Sequence, residues 1–449
     1  MRLSEFRVYG LFGLFDHRVP LNLDERITIV HAPNGFGKTV VLKLINAFFG
    51  GSLAAFREFE FESAQYHFDN GGVVIVDQVV RKIEPPTSRA GREDRRFVIS
   101  YRGGGEEYYW DPSDDQGIVP PWRGIPSSSW ERYLGFVERV SAREWIDRRS
   151  GHRLSIEELY DQYGHLVPGR IHKPTRQPEW LEELRSSIHC RLIETQRLLA
   201  LDKLKSTSSE SSMTLTVRTY SSDLQNSIER LLAESATLSQ SLDQTFPNRL
   251  LARMADEEAP LSESELRDRL SILDQQRARL AKVGLLDTAK DDTVISGTQF
   301  NDATRRILGE YVSDAEKKLN IYNDTLDRLE LFLEIINSRF QFKSISVSRV
   351  DGFFFTDIKG RHLTPENLSS GEQHELVLIY ELLFRTKKDT LILIDEPEIS
   401  LHIAWQKRFI KDLRRIISLT NFDAFLSTHS PQLIGRDMAL AVQLQRPNR

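Results

Sequence analysis

Ala32-Pro33-Asn34-Gly35-Phe36-Gly37-Lys38-Thr39 is the stretch on which the reading of this chain turns. A strand-like run at residues 26–31 leads into it and a helix-like run at 39–49 leaves it. A phosphate-binding loop needs that setting. Backbone N–H groups at a helix N-terminus point at the anion, glycines let the backbone approach closely, Lys38 meets the β/γ oxygens and Thr39 the Mg²⁺. Ala32 stands where the usual pattern has its first glycine. A Gly-rich turn before a helix is also a common structural device, so the assignment needs company.

That company lies near the other end of the chain. Leu391-Ile392-Leu393-Ile394-Asp395-Glu396 is an apolar strand closing on two carboxylates. A strand buried on both faces delivers Asp395 to the carboxyl edge of a parallel sheet, where it can hold Mg²⁺, and puts Glu396 one step further out as a general base. Read plainly, it is a strand that stops at a charged turn. Leu368-Ser369-Ser370-Gly371-Glu372-Gln373 precedes a helical run at 374–384, and a hydroxyl, a glycine N–H and a helix N-terminus there make a second anion site. Its plain reading is a helix cap with Glu372 in the first turn.

Working outward, strands are expected at 2–9, 18–23, 72–81, 96–102 and 106–110, an antiparallel lobe grafted on an α/β core. Residues 110–130, dense in Pro, Ser, Asp and Gly, read as a surface loop. A helix at 179–187 and a buried strand at 190–194 follow, the strand ending in Thr195-Gln196-Arg197. From 217 to 339 apolar residues recur at helical spacing, for example Leu266, Leu270, Leu273 and Leu280. A break is expected at 257–262, around Pro260, and a helix over 301–339 would run roughly 60 Å if unbroken. This middle third reads as an inserted arm or as an ordinary helical bundle. Strands resume at 344–350, 352–357, 390–394 and 422–426.

Composition sets outer bounds. With 449 residues, 40% apolar and 28% charged, the chain is expected to form two or three soluble units. Its 60 basic and 65 acidic residues give a net charge of −5, which leaves DNA open as a partner through a local patch. One cysteine, Cys190, excludes an internal disulfide framework and reads as a small core residue in a cytoplasmic protein. No signal peptide, membrane segment or metal-spaced Asp, Glu, His and Cys cluster is read, so no membrane partner is expected.

The order of motifs resembles the ABC-type ATPases. Residues 32–39 are similar to their Walker A motif, 368–373 to the signature loop, 391–396 to Walker B, Thr195-Gln196-Arg197 to the Q-loop and Ser427-Thr428-His429-Ser430-Pro431 to the switch-histidine loop. The motifs resemble those of SMC-like and OLD-like heads, and Asp395-Glu396-Pro397-Glu398-Ile399-Ser400-Leu401-His402 and the Thr-His-Ser-Pro run are closest to the OLD-like ATPases rather than to transporters, RecF or Rad50. The resemblance implies an α/β fold, an ABC-type head of P-loop core sheet plus antiparallel β lobe, interrupted by a helical or short coiled-coil arm. The corresponding divisions are 1–216, 217–341 and 342–449.

The resemblance also implies roles. Asn34, Gly35, Gly37, Lys38 and Thr39 bind the phosphates of ATP, with Thr39, Gln196 and Asp395 at Mg²⁺. Glu396 is the base, His429 contacts the γ-phosphate, and Ser369 and Gly371 close on the nucleotide from another subunit. Glu398 and His402 read equally as part of a subunit-crossing D-loop or as a helix start. An appended nuclease domain of the OLD kind is not expected, since 20 residues follow His429. The chain then resembles ATPase components of anti-phage systems, PARIS-like or Septu-like, with a separate nuclease or toxin, a phage-derived trigger protein and a homo-oligomer of paired heads. A RecF-like or SMC-like repair ATPase clamping DNA is the alternative.

Overall fold

The computed structural model describes residues 1–50, 53, 55–82, 93–112, 130, 134, 137–140, 144–147, 153–155, 159, 177–193, 211–255, 259–287, 300–364 and 367–444. These form two compact units, one from residues 1–197, 203–208 and 386–449, the other from 198–202 and 209–385. Among the described residues no helix is long and apolar enough to cross a membrane.

The first unit opens with β1 (Leu3–Leu11), β2 (Phe15–Pro20) and β3 (Ile27–His31), then α1 (Lys38–Gly50) and α2 (Ala55–Glu58). Next come β4 (Ser63–Phe68), β5 (Val73–Lys82), β6 (Glu93–Gly103) and β7 (Glu106–Trp110). A small three-stranded sheet, β8 (Val137–Arg139), β9 (Glu144–Asp147) and β10 (Arg153–Ser155), precedes α3 (Glu179–Ser186) and β11 (Cys190–Ile193). The antiparallel lobe is one six-stranded sheet in the order β2-β1-β4-β5-β6-β7. β2 starts earlier than expected because a tight turn pairs Leu11 with Phe15. β4 was not expected, although Ala64, Tyr66 and Phe68 alternate inward along it.

After the second unit the chain returns as β15 (Leu391–Asp395), α9 (Ile403–Thr420), β16 (Asp423–Thr428), the short α10 (Pro431–Ile434) and β17 (Ala441–Gln443). These complete a five-stranded sheet, all parallel, in the order β11-β15-β16-β3-β17. Every residue of β15 is buried, as a strand covered on both faces requires. Pairing of Asp395 with Ser427 and of Thr428 with His31 brings the carboxyl ends of β15, β16 and β3 to one edge. α1 is apolar around most of its circumference because it packs within the core shared with both sheets. Tyr66 stacks on Phe48 at 4.8 Å and its hydroxyl donates to the Leu44 carbonyl at 2.7 Å. Cys190 packs on the same core, and burial pushes its thiol up.

The second unit is built on α4 (Ser211–Ala255), α5 (Glu263–Lys282), α6 (Asp302–Asn320) and α7 (Asn323–Asn337). The antiparallel strands β12 (Lys343–Ser348), β13 (Gly352–Asp357) and β14 (His362–Leu363) follow, then α8 (Ser370–Tyr380), which runs on as a π-helical turn at Glu381–Arg385. At 45 residues α4 spans roughly 68 Å. The helical stretch over 301–339 is broken into two helices. The Tyr322 N–H returns to Leu319 in a tightened i to i−3 bond, and buried Tyr322 starts a new helix. Arg–carboxylate pairs lace the helices together, Arg249 to Asp314 and Arg269 to Glu316 among them. Ser221 on α4 bonds the carbonyls of Asp351 and Phe353 at 2.7 Å each, fixing the helix to the β12–β13 turn.

Candidate functional site

The loop of residues 32–37 runs from β3 into α1 with Gly35 at φ +85° and Gly37 at φ +82°, left-handed conformations that favour glycine. Asn34 and Gly35 are exposed at its crown, and a Cβ on Gly35 would meet nothing within 4 Å. Lys38 is 5% exposed, and its Nζ donates to the carbonyls of Ala32 at 2.9 Å and Pro33 at 3.2 Å. Burial lowers the Lys38 pKa, and the nearby carboxylates of Glu396, Asp395 and Glu398 oppose that shift. His17, buried in β2, bonds the Phe36 carbonyl through Nε2 at 2.9 Å. It stacks on Phe15, and Phe15 in turn meets Phe36. Nothing in the motif pattern signals this prop beneath the loop.

The acidic strand meets the loop directly. Thr39 Oγ1 donates to the Asp395 carboxylate, 3.0 Å from Oδ2, and fully buried Ser427 donates to Oδ1 of the same group. Ser427 lay in the quoted switch loop without a role, and only the sheet pairing shows that it faces Asp395. Glu396 leaves the strand in the left-handed region, at φ 45°, with its N–H on the Ser427 carbonyl at 3.0 Å. For a non-glycine residue that is a strained conformation of the kind that clusters at functional sites. His429 Nε2 lies 3.1 Å from Glu396 Oε1. Lys38, Thr39, Asp395, Glu396 and His429 are thus gathered on one edge of the parallel sheet.

Thr39 and Asp395 present a hydroxyl and a carboxylate, hard oxygen donors of the type Mg²⁺ requires, beside a loop with open space at Gly35. The residues fit a magnesium nucleotide. Ser369 and Gly371 belong to the second unit. There Ser369 is the N-cap of α8 in a full capping box with Glu372, so the plain cap reading describes its local geometry. Glu372 is held below the usual carboxylate range: burial opposes this, but the Lys343 ammonium at 2.8 Å and the bonds from Ser369 outweigh it. Gln196 lies outside the described residues, as does most of the 110–130 loop.

The fold is an α/β head, a parallel core sheet with an antiparallel lobe, accompanied by a long helical insertion. Residues 228–435 match a family described as "AAA domain, putative AbiEii toxin, Type IV TA system". No curated protein matches the chain. Among solved structures it is similar to the Smc head domain of Pyrococcus furiosus, crystallised with an extended coiled coil and bound to the C-terminal domain of ScpA. The two are 12% identical, the alignment covers 98% of this chain and 93% of that one, and the TM-score is 0.35. The SMC head domain from Thermotoga maritima is also similar, at 12% identity, 98% and 92% coverage and a TM-score of 0.33.

Proposed function

We propose that the chain hydrolyses ATP as an oligomer and couples nucleotide state to a separate nuclease or toxin in bacterial anti-phage defence. The observation that carries the hydrolytic part is the convergence of Lys38, Thr39, Asp395, Glu396 and His429 at one sheet edge. Backbone N–H groups of residues 35–39 and the Lys38 ammonium bind the β- and γ-phosphates, while Asn34 and Gly35 form the crown of the loop. Thr39 and Asp395, with Gln196, would hold Mg²⁺, which when bound would supply positive charge to offset that developing on the phosphates. Glu396 takes the proton of the attacking water as the bond to the γ-phosphorus forms and the β–γ bridge breaks. His429 orients that carboxylate and contacts the γ-phosphate. Ser369 and Gly371 close the site from a neighbouring subunit, which makes the oligomer obligatory.

The effector reading is supported by the toxin and antitoxin system in the matching family's description, together with an arm able to turn subunit closure into movement. A phage-derived protein is the trigger in this scheme, and the cytoplasm its site. One observation favours a second reading, a DNA-clamping repair ATPase. The exposed face of α9 carries Lys407, Arg408 and Lys411, beside Arg414, which pairs with Glu25 and Asp437, and the helix's sole carboxylate, Asp412, is buried. Purification of the chain from its operon, with partners identified and ATPase measured with and without DNA, separates the two. A stoichiometric nuclease or toxin supports the defence reading. Strong DNA stimulation without such a partner, with affinity falling steeply in salt, overturns it in favour of the clamp.

A further inference from the structure

Glu398, three residues beyond Asp395, is 8% exposed, and its Oε1 accepts from Thr428 Oγ1 at 2.6 Å and from the His429 N–H at 2.8 Å. Thr428 Oγ1 accepts in turn from the Ser430 N–H at 2.9 Å, and Ser430 Oγ donates to Gln406 Oε1 at 2.9 Å. Gln406 closes the ring, its Nε2 donating to the carbonyls of Glu398 at 3.2 Å and Leu401 at 3.0 Å. The ring ties the loop after β15 to the loop after β16, and each of those loops supplies one member of the Glu396–His429 pair.

Two observations separate this carboxylate from a general base and from a purely structural group. Its Oε1 is saturated by two donors, whereas Glu396 keeps a side chain 19% exposed beside His429. Its Oε2 is buried and finds no partner among the described residues. A buried carboxylate with half its acceptor capacity unmet costs stability, so a stability role alone does not account for it.

We propose that Glu398 is a positioning residue of the hydrolytic site: by holding Thr428 and the His429 backbone, it sets the imidazole of His429 against Glu396. The inference rests on the ATPase reading above. Displacing the switch loop lowers turnover without removing any group that grips the phosphates, since a misplacement of about 1 Å can cost about 10²-fold.

The test uses the full-length oligomer, with ATP turnover, ATP affinity and thermal melting measured for each variant. Glu398→Ala is expected to lower kcat about 10- to 100-fold with ATP affinity within about twofold of wild type. Glu398→Gln, which keeps an acceptor facing Thr428 and His429, is expected to recover most of the turnover. Placed in a His429→Ala background, Glu398→Ala is expected to cause no further loss, because the two changes remove the same function. If Glu398→Ala does not fold, Thr428→Val removes one of the two donors at constant shape, and the same pattern is required of it. Wild-type kcat in the folded variants, or losses that multiply with His429→Ala, overturns the proposal. A wild-type chain without ATPase activity overturns the function reading beneath it instead.

Discussion

Thr39 Oγ1 and the Asp395 carboxylate, 356 positions apart in sequence, lie 3.0 Å from each other. That contact joins the start of α1 to the end of β15, and it is where the two halves of the proposed magnesium site meet. Asp395→Asn keeps the shape and removes the charge. It is expected to weaken ATP binding about 10- to 100-fold in Mg²⁺, the loss of one charge-assisted interaction, and far less in EDTA. Equal losses in both conditions would place the metal elsewhere. Nucleotide titrations with and without the cation decide it.

Glu396→Gln preserves size and hydrogen bonding while removing the base. Binding should survive and turnover should fall by about 10² to 10⁴. Single-turnover measurements on the purified variant read this directly. Wild-type turnover would assign proton abstraction to another group.

The shared site predicts complementation. A Lys38→Ala chain lacks the phosphate grip and a Ser369→Arg chain blocks the face offered to a neighbour. Each alone is inactive, but mixed oligomers contain sites built from the intact halves. ATPase activity should therefore reappear on mixing and peak near equal proportions, whereas no recovery at any ratio excludes a site shared between subunits.

Two glycines predict different phenotypes. Gly352 sits at φ +70°, and a Cβ there would be 2.0 Å from the Ser221 carbonyl oxygen, so backbone would have to move. Gly352→Ala should destabilise by at least about 1–3 kcal/mol from the strained backbone alone. Gly35, also at positive φ, has open space around a Cβ. Gly35→Ala carries the same strain without the clash, so it should cost less stability than Gly352→Ala and lower nucleotide affinity as well. Denaturant melts beside ATP titrations of both variants check the contrast.

The Glu372 carboxylate, held below its ordinary range, links stability to acid. Its contribution is fully present above the unfolded value, the ordinary 4.5, and is lost as pH falls through the lowered folded value. Wild type should therefore lose stability along that acid limb. Glu372→Gln should be less stable at neutral pH and show a flatter limb. Identical pH profiles for the two proteins would mean that the capping box and the Lys343 pair contribute nothing to folding.

Much of this molecule is legible in its local sequence. The 32–39 turn stands out as a candidate phosphate loop because glycine spacing, a lysine and a hydroxyl are all local requirements. The acidic strand does the same, since a run of four aliphatic residues before Asp395-Glu396 has few uses other than a covered parallel strand. The cap at Ser369 was also readable, being a contact over three residues. Helix termini were less so: one helix ends at Asn320 and another begins at Asn323, with Tyr322 N–H turned back to the Leu319 carbonyl, and periodicity carries no trace of that.

The long-range contacts were settled only by tertiary structure. Ser427 faces Asp395 because β15 and β16 pair in one particular register, and a shift of one residue would turn that hydroxyl away. Glu398 reads equally as a helix start until Thr428 and His429 are brought to it across the sheet, and His17 becomes a prop for the phosphate loop only once β2 has folded over Phe36. Spacing along a chain determines contacts over a few residues, where geometry is fixed by the backbone. Contacts over hundreds of residues depend on how strands pair and cores close, and no short stretch of sequence encodes that.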